Sequence, residues 1–505
     1  MNDSHTLYWL KKDFRLFDNP ALHQSLIDSN KVTPVFIMED SFLESSDTSA
    51  FHVQALLEAL FSFKKVLQSK GGELLIIRGE VIETFEKLHA SFRFNKIYAH
   101  QETGTFRTYQ RDIAVRNWCQ KKEIDFKEPL QTAVFRNLSN RDTRHTYWKE
   151  FTFEKLIPIP KKLSNCIVIP EWYKFETRTD SLTLESLGFS LSSIQKESMQ
   201  KVSEKDAFND LDSFLHERGL AYRGGISSPL TAFQAGSRTS VHLAYGTITS
   251  RTIYQKTLER MEELKLQMEA GVKNAGKWRM SLRSFLSRLH WRDHFIQRLE
   301  TEPSMEFEAI NLAYEKLEYN ADPKLLSAWQ NGNTGFPMVD ASIRCLNETG
   351  FINFRMRAMI TSFACHTLQI SWKDINCPMA KMYTDYEPGI HLSQLQMQAS
   401  VVGINTVRIY NPNKQIIDQD PDTIFIKKFV PELKKYSSEQ IILHKEETLG
   451  NYPPNIVDYK ISSAEMRQKI YAIRKTEGYR EIADAVYKKH GSRKKSKTKN
   501  RKKEK

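Results

Sequence analysis

The chain has 505 residues, more than one hydrophobic core usually organises, so at least two domains with room for a large buried cofactor are expected. Hydrophobic residues make up 40% and charged residues 27%, and no apolar run approaches the roughly 18 to 20 residues of a membrane span, which excludes a transmembrane helix. The net charge of +13 suggests a nucleic-acid partner, but +10 of it sits in residues 488–505, where eleven Lys or Arg accompany the single acid Glu504.

The opening MNDSHTLYWLKKDFRL has no charged segment followed by a sustained apolar one, so a cytoplasmic, DNA-associated protein is expected. The runs TLYWL, VTPVFIM, ELLIIRG and KIYAH then alternate with helical stretches such as VQALLEALFSFKKVLQSK. That alternation predicts a doubly wound parallel sheet, a Rossmann-like α/β domain over residues 1–130. No GxGxxG follows the first run, which disfavours ordinary dinucleotide binding there. Residues 131–205 are rich in Pro and Ser, as in IPIPKKLSNCIVIPEWY, and read as an inter-domain linker. Over residues 206–487 the apolar spacing is helical almost throughout, as in LRSFLSRLHWRDHFIQRLE, and predicts an all-α domain. Residues 488–505 are too polar to fold alone and are expected to be a disordered basic tail, serving either as a salt-sensitive phosphate contact or as a solubilising extension. The five cysteines are scattered without CxxC, so no metal site is expected.

The opening LYWLKKDFRLFDNPAL resembles the first strand and loop of the photolyase and cryptochrome superfamily. Four further segments follow in that family's order: SRTSVHLAYGTIT, LSRLHWRDHF, NGNTGFPMVDASIRCLNETGFINFRMRAM and VRIYNPNKQIIDQDPDTIFIKKFVPEL. The resemblance implies an α/β antenna domain, a linker, and an all-α domain holding FAD in a folded, U-shaped conformation.

A pyrophosphate needs hydroxyl and amide donors plus a cation, and Gly236, Ser237, Arg238, Thr239 and Ser240 offer these at a predicted helix start. The resemblance adds Tyr222 as a flavin contact and Arg357 with Asp385 as a pair beside the isoalloxazine ring. Tyr386 and Glu387 complete this cofactor-binding set; Glu387 stands where the family usually has a second Asp. An ungapped match puts His391 at the position facing flavin N5, where a histidine either donates a hydrogen bond to the ring or turns away into the helix packing.

For the substrate, the resemblance implies a UV-induced pyrimidine dimer flipped above the flavin, stacked on Trp291 and contacted by Arg355, with Arg292 and Phe354 on the same DNA-facing surface. Three positions depart from the cyclobutane-dimer pattern: Arg288 replaces a Glu, Phe354 an Asn and Ala358 a Met. Arg288 is a candidate for stabilising the dimer anion by charge. Of the family's three relay tryptophans only Trp372 matches; Leu395 and Tyr319 occupy the other positions. Glu102, Arg107 and Arg111 resemble the region beside a second, folate- or deazaflavin-type antenna chromophore. The expected function is a monomeric, FAD-dependent DNA photolyase, a carbon–carbon lyase acting on UV-damaged DNA with no membrane or metal partner. The alternative is a cryptochrome-like blue-light photoreceptor without repair.

Overall fold

A computed structural model describes residues 5–138, 141–166, 169–173, 182–320, 322–404, 406–445 and 448–491. Five strands, β1 (His5–Leu10), β2 (Lys31–Met38), β3 (Leu75–Arg78), β4 (Lys96–Tyr98) and β5 (Asp125–Lys127), form one parallel sheet in the order β3-β2-β1-β4-β5. Every residue of β1 is buried, as a central strand covered on both faces requires. Tyr8 and Leu10 enter the core on one face, while Leu7 and Trp9 enter the core on the other. The strand order reverses between β1 and β4, so the carboxyl ends of these strands open a crevice.

The segment after β1 is built by its own side chains. Asp13 accepts from the Tyr8 hydroxyl at 2.6 Å and from the Lys11 amide at 3.1 Å. Asn19 accepts from Leu22 N at 3.0 Å, capping the helix Pro20–Asp28, whose first position is proline. Arg15 and Asp18 then cross to the helical half. Arg15 Nη1 donates to Gly246 O at 2.7 Å, and Arg251 Nη2 donates to Asp18 Oδ1 at 2.6 Å. Gly246 lies at φ +65°, and a Cβ there would stand 1.8 Å from Lys12 O, so glycine is required where the two halves touch.

The stretch 131–205 is folded where it is described. It contains the helix Arg144–Phe153, and Leu163, Cys166, Leu184, Leu187, Met199 and Val202 join the core of the α/β half. The helical half begins with the helix Glu204–Ser213. Its frame is the antiparallel pair Ser250–Glu269 and Ala275–Thr301, the latter crossed by Pro388–Gln398. At this crossing a Cβ on Gly389 would lie 2.6 Å from Ile296 Cα, so the glycine permits direct backbone approach.

The last helix, Tyr479–His490, corrects the expected start of the basic tail: Lys488, Lys489 and His490 are helical. Lys489 and His490 pair with Glu302 at the end of the long helix, which supplies the anchoring that composition did not reveal. Residues 492–505 lie outside the described residues. Among the described residues no helix is long and apolar enough to cross a membrane.

Candidate active site

Arg357, near the start of the helix Phe354–Ser362, meets Asp385 through two contacts: Nη1 to Oδ1 at 3.0 Å and Nη2 donating to Oδ2 at 3.1 Å. Arg357 Nε donates to Ile352 O at 2.8 Å, and the guanidinium lies 4.3 Å from the Tyr383 ring centroid. Burial alone raises the Asp385 carboxyl, but the Arg357 charge and hydrogen bond outweigh it and hold the pKa below the usual carboxylate value. Arg357 is correspondingly raised, so the pair is fully ionised near neutral pH.

Arg238 sits at φ +63° in the turn before the helix Ser240–Ala244, bearing out the predicted helix start. Its guanidinium stacks 4.0 Å from the Phe351 centroid, and burial lowers its pKa to about 10. Ser237 Oγ lies 2.9 Å from Thr239 Oγ1, and Gly236 O faces Arg218. Arg238 Nη1, Asn353 Oδ1, Tyr383 Oη and Thr384 Oγ1 are buried without a hydrogen-bond partner. These unmet donors and acceptors, with the ionised pair beside them, fit a dinucleotide carrying a ring amide and a pyrophosphate. Sequence reasoning missed Phe351, Asn353, Tyr383 and Thr384; only their closeness in the chain to Arg357 and Asp385 signalled them.

Tyr222 is buried against Phe214 and Phe285, with ring centroids at 5.5 and 5.7 Å. Burial raises its hydroxyl to about 12, opposed by the charge of Arg288. Arg288 itself is exposed on the helix Ala275–Thr301. Three residues further along the same helix, Trp291 is 45% exposed, supported from below by His294 at 5.4 Å and Phe295 at 5.7 Å. Phe354 is 55% exposed, and Arg355 is half-buried with Nε unpartnered. Ala358 is buried and presents no polar group.

Three expected site residues point elsewhere. Arg292 does not face DNA; it is turned inward, with Nη1 3.2 Å from Asp293 Oδ1 and Nη2 3.5 Å from Glu387 Oε2. The close helix crossing at Gly389 brings Glu387 within its reach, and burial raises the Glu387 carboxyl against the pull of Arg292. Tyr386 does not face the Arg357–Asp385 pair; its hydroxyl donates to Asp47 at 2.9 Å and its ring stacks on His52 at 5.5 Å. His391 is packed between helices, Nε2 lying 3.0 Å from Asn376 Oδ1 and 3.1 Å from Asn376 O. Both partners accept, so Nε2 carries the proton.

Burial lowers the His391 pKa to about 4, against an ordinary value of about 6.5. The unfolded chain then takes up the proton first as pH falls, so His391 destabilises the fold progressively between about pH 6.5 and pH 4. His391→Asn is expected to flatten the acid limb of the stability curve, measured as denaturation midpoint against pH, while a limb unchanged in slope would contradict this.

Among the relay positions, Trp372 and Leu395 are buried, and Tyr319 Oη is buried without a partner. Trp329 is fully buried and donates to Ile360 O at 3.1 Å.

A separate cavity opens where β1 and β2 end, lined by Trp9, Lys12, Phe42, Arg107, Tyr245 and Tyr386. Arg111 in its wall bridges Glu39 at 2.7 Å and Glu102 at 2.6 Å, which also line it, while Arg107 Nε is buried without a hydrogen-bond partner. Among the described residues no group of His, Cys, Asp and Glu could hold a metal ion.

Residues 6–152 match the family model of DNA photolyase, and residues 285–472 match that of the FAD binding domain of DNA photolyase. A deoxyribodipyrimidine photo-lyase of Alkalihalophilus pseudofirmus is 27% identical over 485 residues, covering 91% of this chain and 96% of that protein. A cryptochrome DASH of Xenopus laevis is 24% identical, covering 91% of each chain. The crystal structure of a bacterial class III photolyase from Agrobacterium tumefaciens superposes with a TM-score of 0.79 at 21% identity, over 94% of this chain and 99% of that one. An archaeal photolyase from Sulfolobus tokodaii, solved with two FAD molecules, gives 0.75 at 24% identity, over 93% and 100%.

Proposed function

Because this chain belongs to the photolyase and cryptochrome superfamily and carries its FAD-binding domain, we propose that it is a light-driven enzyme that repairs UV-induced pyrimidine dimers in DNA. Bound FAD supplies the light absorption and the electron that opens the dimer. The protein's part is to hold, orient and exclude. Arg357, kept charged by Asp385, orients the ring amide and places positive charge beside a reduced, anionic ring. Arg238 and the hydroxyls of Ser237, Thr239 and Ser240 take the pyrophosphate. Trp291 and Phe354 offer aromatic faces to a flipped base pair, and Arg355 offers charge to the adjoining backbone.

The observation that carries this reading is Trp291. A large aromatic, 45% exposed with His294 edge-on and Phe295 tilted beneath it, has shed burial that a core tryptophan would keep. The test is blue-light illumination of the reduced protein with UV-irradiated oligothymidylate, following the absorbance of restored thymine. Recovery is expected, and Trp291→Ala is expected to weaken damaged-DNA binding roughly tenfold to hundredfold, the loss of one to two stacking contacts worth about 1–3 kcal/mol per base. Absence of recovery on cyclobutane and (6-4) substrates alike, with FAD bound and reduced, would overturn repair.

One observation favours the second reading, a blue-light photoreceptor: Arg288, an exposed cation, stands in place of a dimer-binding carboxylate. If Arg288 instead serves repair, Arg288→Ala lowers the rate of dimer splitting while leaving FAD content unchanged; repair at the wild-type rate would remove that role. The cavity containing Arg107, Lys12 and Trp9 is proposed to take a second chromophore with an anionic group, since two partly exposed cations, Arg107 with its buried Nε unpartnered and Lys12, line it together with an indole.

A further inference from the structure

A second group of buried arginines lies along the Trp291 helix, about two turns toward its C-terminus. His294 and Arg298 are one turn apart on Ala275–Thr301, and Arg144 opens the facing helix Arg144–Phe153. The two helices are stitched together by Trp148 Nε1, which donates to Asp293 Oδ2 at 2.9 Å. Arg141, one turn before Arg144, donates to Lys489 O at 2.9 Å and His490 O at 3.1 Å, closing the third side with the last helix.

Arg144 and Arg298 are only 6% and 7% exposed, yet Arg144 Nε and Nη2 and Arg298 Nε and Nη1 have no hydrogen-bond partner. Neither forms an ion pair among the described residues. The nearby acids are committed: Asp293 to Trp148 and Arg292, Glu302 to Lys489 and His490. After burial itself, the charges of Arg298, Arg144 and Arg141 are what drive the His294 pKa down to about 2. Burying uncompensated guanidinium groups is costly, and natural interiors satisfy such groups.

We propose that Arg144 and Arg298 form a binding site for a phosphate-type oxyanion, distinct from the flavin cradle and separated from exposed Trp291 by His294 and Phe295. Two guanidinium groups match a tetrahedral oxyanion, Arg144 offering the paired Nε and Nη2 edge and Arg298 its unpartnered N–H groups. Their burial suits a small anion or a single phosphate group inserted between the helices. The site does not depend on the repair reading.

The test follows thermal unfolding of the full-length protein in inorganic phosphate and in chloride of matched ionic strength. Wild type is expected to be stabilised saturably by phosphate, and Arg144→Met and Arg298→Met to shift the phosphate midpoint at least about tenfold upward. In chloride these variants are expected to unfold at or above the wild-type temperature, because each removes a buried charge whose N–H groups lack partners. Arg298→Lys, which keeps the charge but not the fork, is expected to fall between. Equal destabilisation of the Met variants in both buffers would mark the arginines as structural and overturn the proposal, as would equal wild-type stability in phosphate and chloride. Salt-dependent DNA binding separates the sources of the phosphate: a DNA phosphodiester predicts a salt slope about one smaller in Arg298→Met, whereas a free phosphate predicts an unchanged slope.

Discussion

Arg357→Ala is expected to fold but to emerge from purification with little or no FAD, read as the ratio of flavin to protein absorbance. The substitution removes a guanidinium that meets Asp385 at 3.0 and 3.1 Å, leaving a buried carboxylate uncompensated. Breaking one partner of a buried pair costs about 3–5 kcal/mol, and the carboxyl pKa, now held below its ordinary value, moves upward because only the Ser240 hydrogen bond and the Arg238 charge are left to oppose burial. If the arginine also orients the flavin, the loss of a charged hydrogen bond worth about 1.5–3 kcal/mol weakens cofactor affinity by roughly ten- to hundredfold beyond any loss of stability. Arg357→Lys separates the two effects: it keeps the charge and part of the stability but loses the bidentate geometry. Flavin retention at the wild-type level in Arg357→Ala would mean that the pair is an inter-helix brace only.

Asp18→Ala is the second substitution with a large expected effect, and it acts far from the flavin. Asp18 is fully buried and accepts from Arg251 Nε at 2.8 Å, Arg251 Nη2 at 2.6 Å and Thr249 Oγ1 at 2.6 Å. These bonds tie the loop after β1 to the helix Ser250–Glu269, so they join the two halves of the molecule. Removing the carboxylate leaves buried Arg251 with only the exposed Glu154, at 2.7 Å, as an acidic partner and is expected to cost about 3 kcal/mol. Chemical denaturation is expected to show an earlier midpoint, and limited proteolysis faster cleavage between the halves. The double variant Asp18→Leu with Arg251→Met is expected to recover much of the loss, since both charges are removed together; a loss equal to the sum of the single variants would contradict a coupled pair.

The pH dependence of that contact has a definite sign. Burial raises the Asp18 carboxyl, but the Arg251 and Thr249 hydrogen bonds and the Arg251 charge bring its pKa below the ordinary value. Its contribution is therefore complete above the unfolded pKa of about 3.9 and is lost as pH falls through the lower folded value. His391 acts at higher pH, with its penalty accumulating between about pH 6.5 and pH 4. The two limbs are thus separable in one titration.

Much of the architecture follows from local pattern. Apolar runs alternating with amphipathic stretches suffice for a parallel sheet with crossover helices, because side-chain period and strand length are properties of neighbouring residues. The FDNPAL segment carries its own cap and turn: Asn19 and Pro20 start a helix by local hydrogen bonding and restricted φ. Arg357 and Asp385, 28 residues apart, were paired by resemblance and are paired in space.

Side-chain direction did not follow in the same way. Tyr386 stands next to Asp385 in the chain yet turns to Asp47 in the α/β half, and Arg292 stands next to Trp291 yet turns inward to Glu387. Adjacent residues on an element point about 100° apart on a helix and to opposite sides of an extended segment, so sequence closeness to a site residue carries no direction. The partners that settle the matter, Asp47 and Glu387, lie 339 and 95 residues away and are brought near only by the packing of the two halves and by the close crossing at Gly389. The Arg144 and Arg298 cluster was invisible for the same reason. Local pattern fixes which residues form an element and which face it buries; which distant charge meets which is decided by the docking of elements that no local window contains.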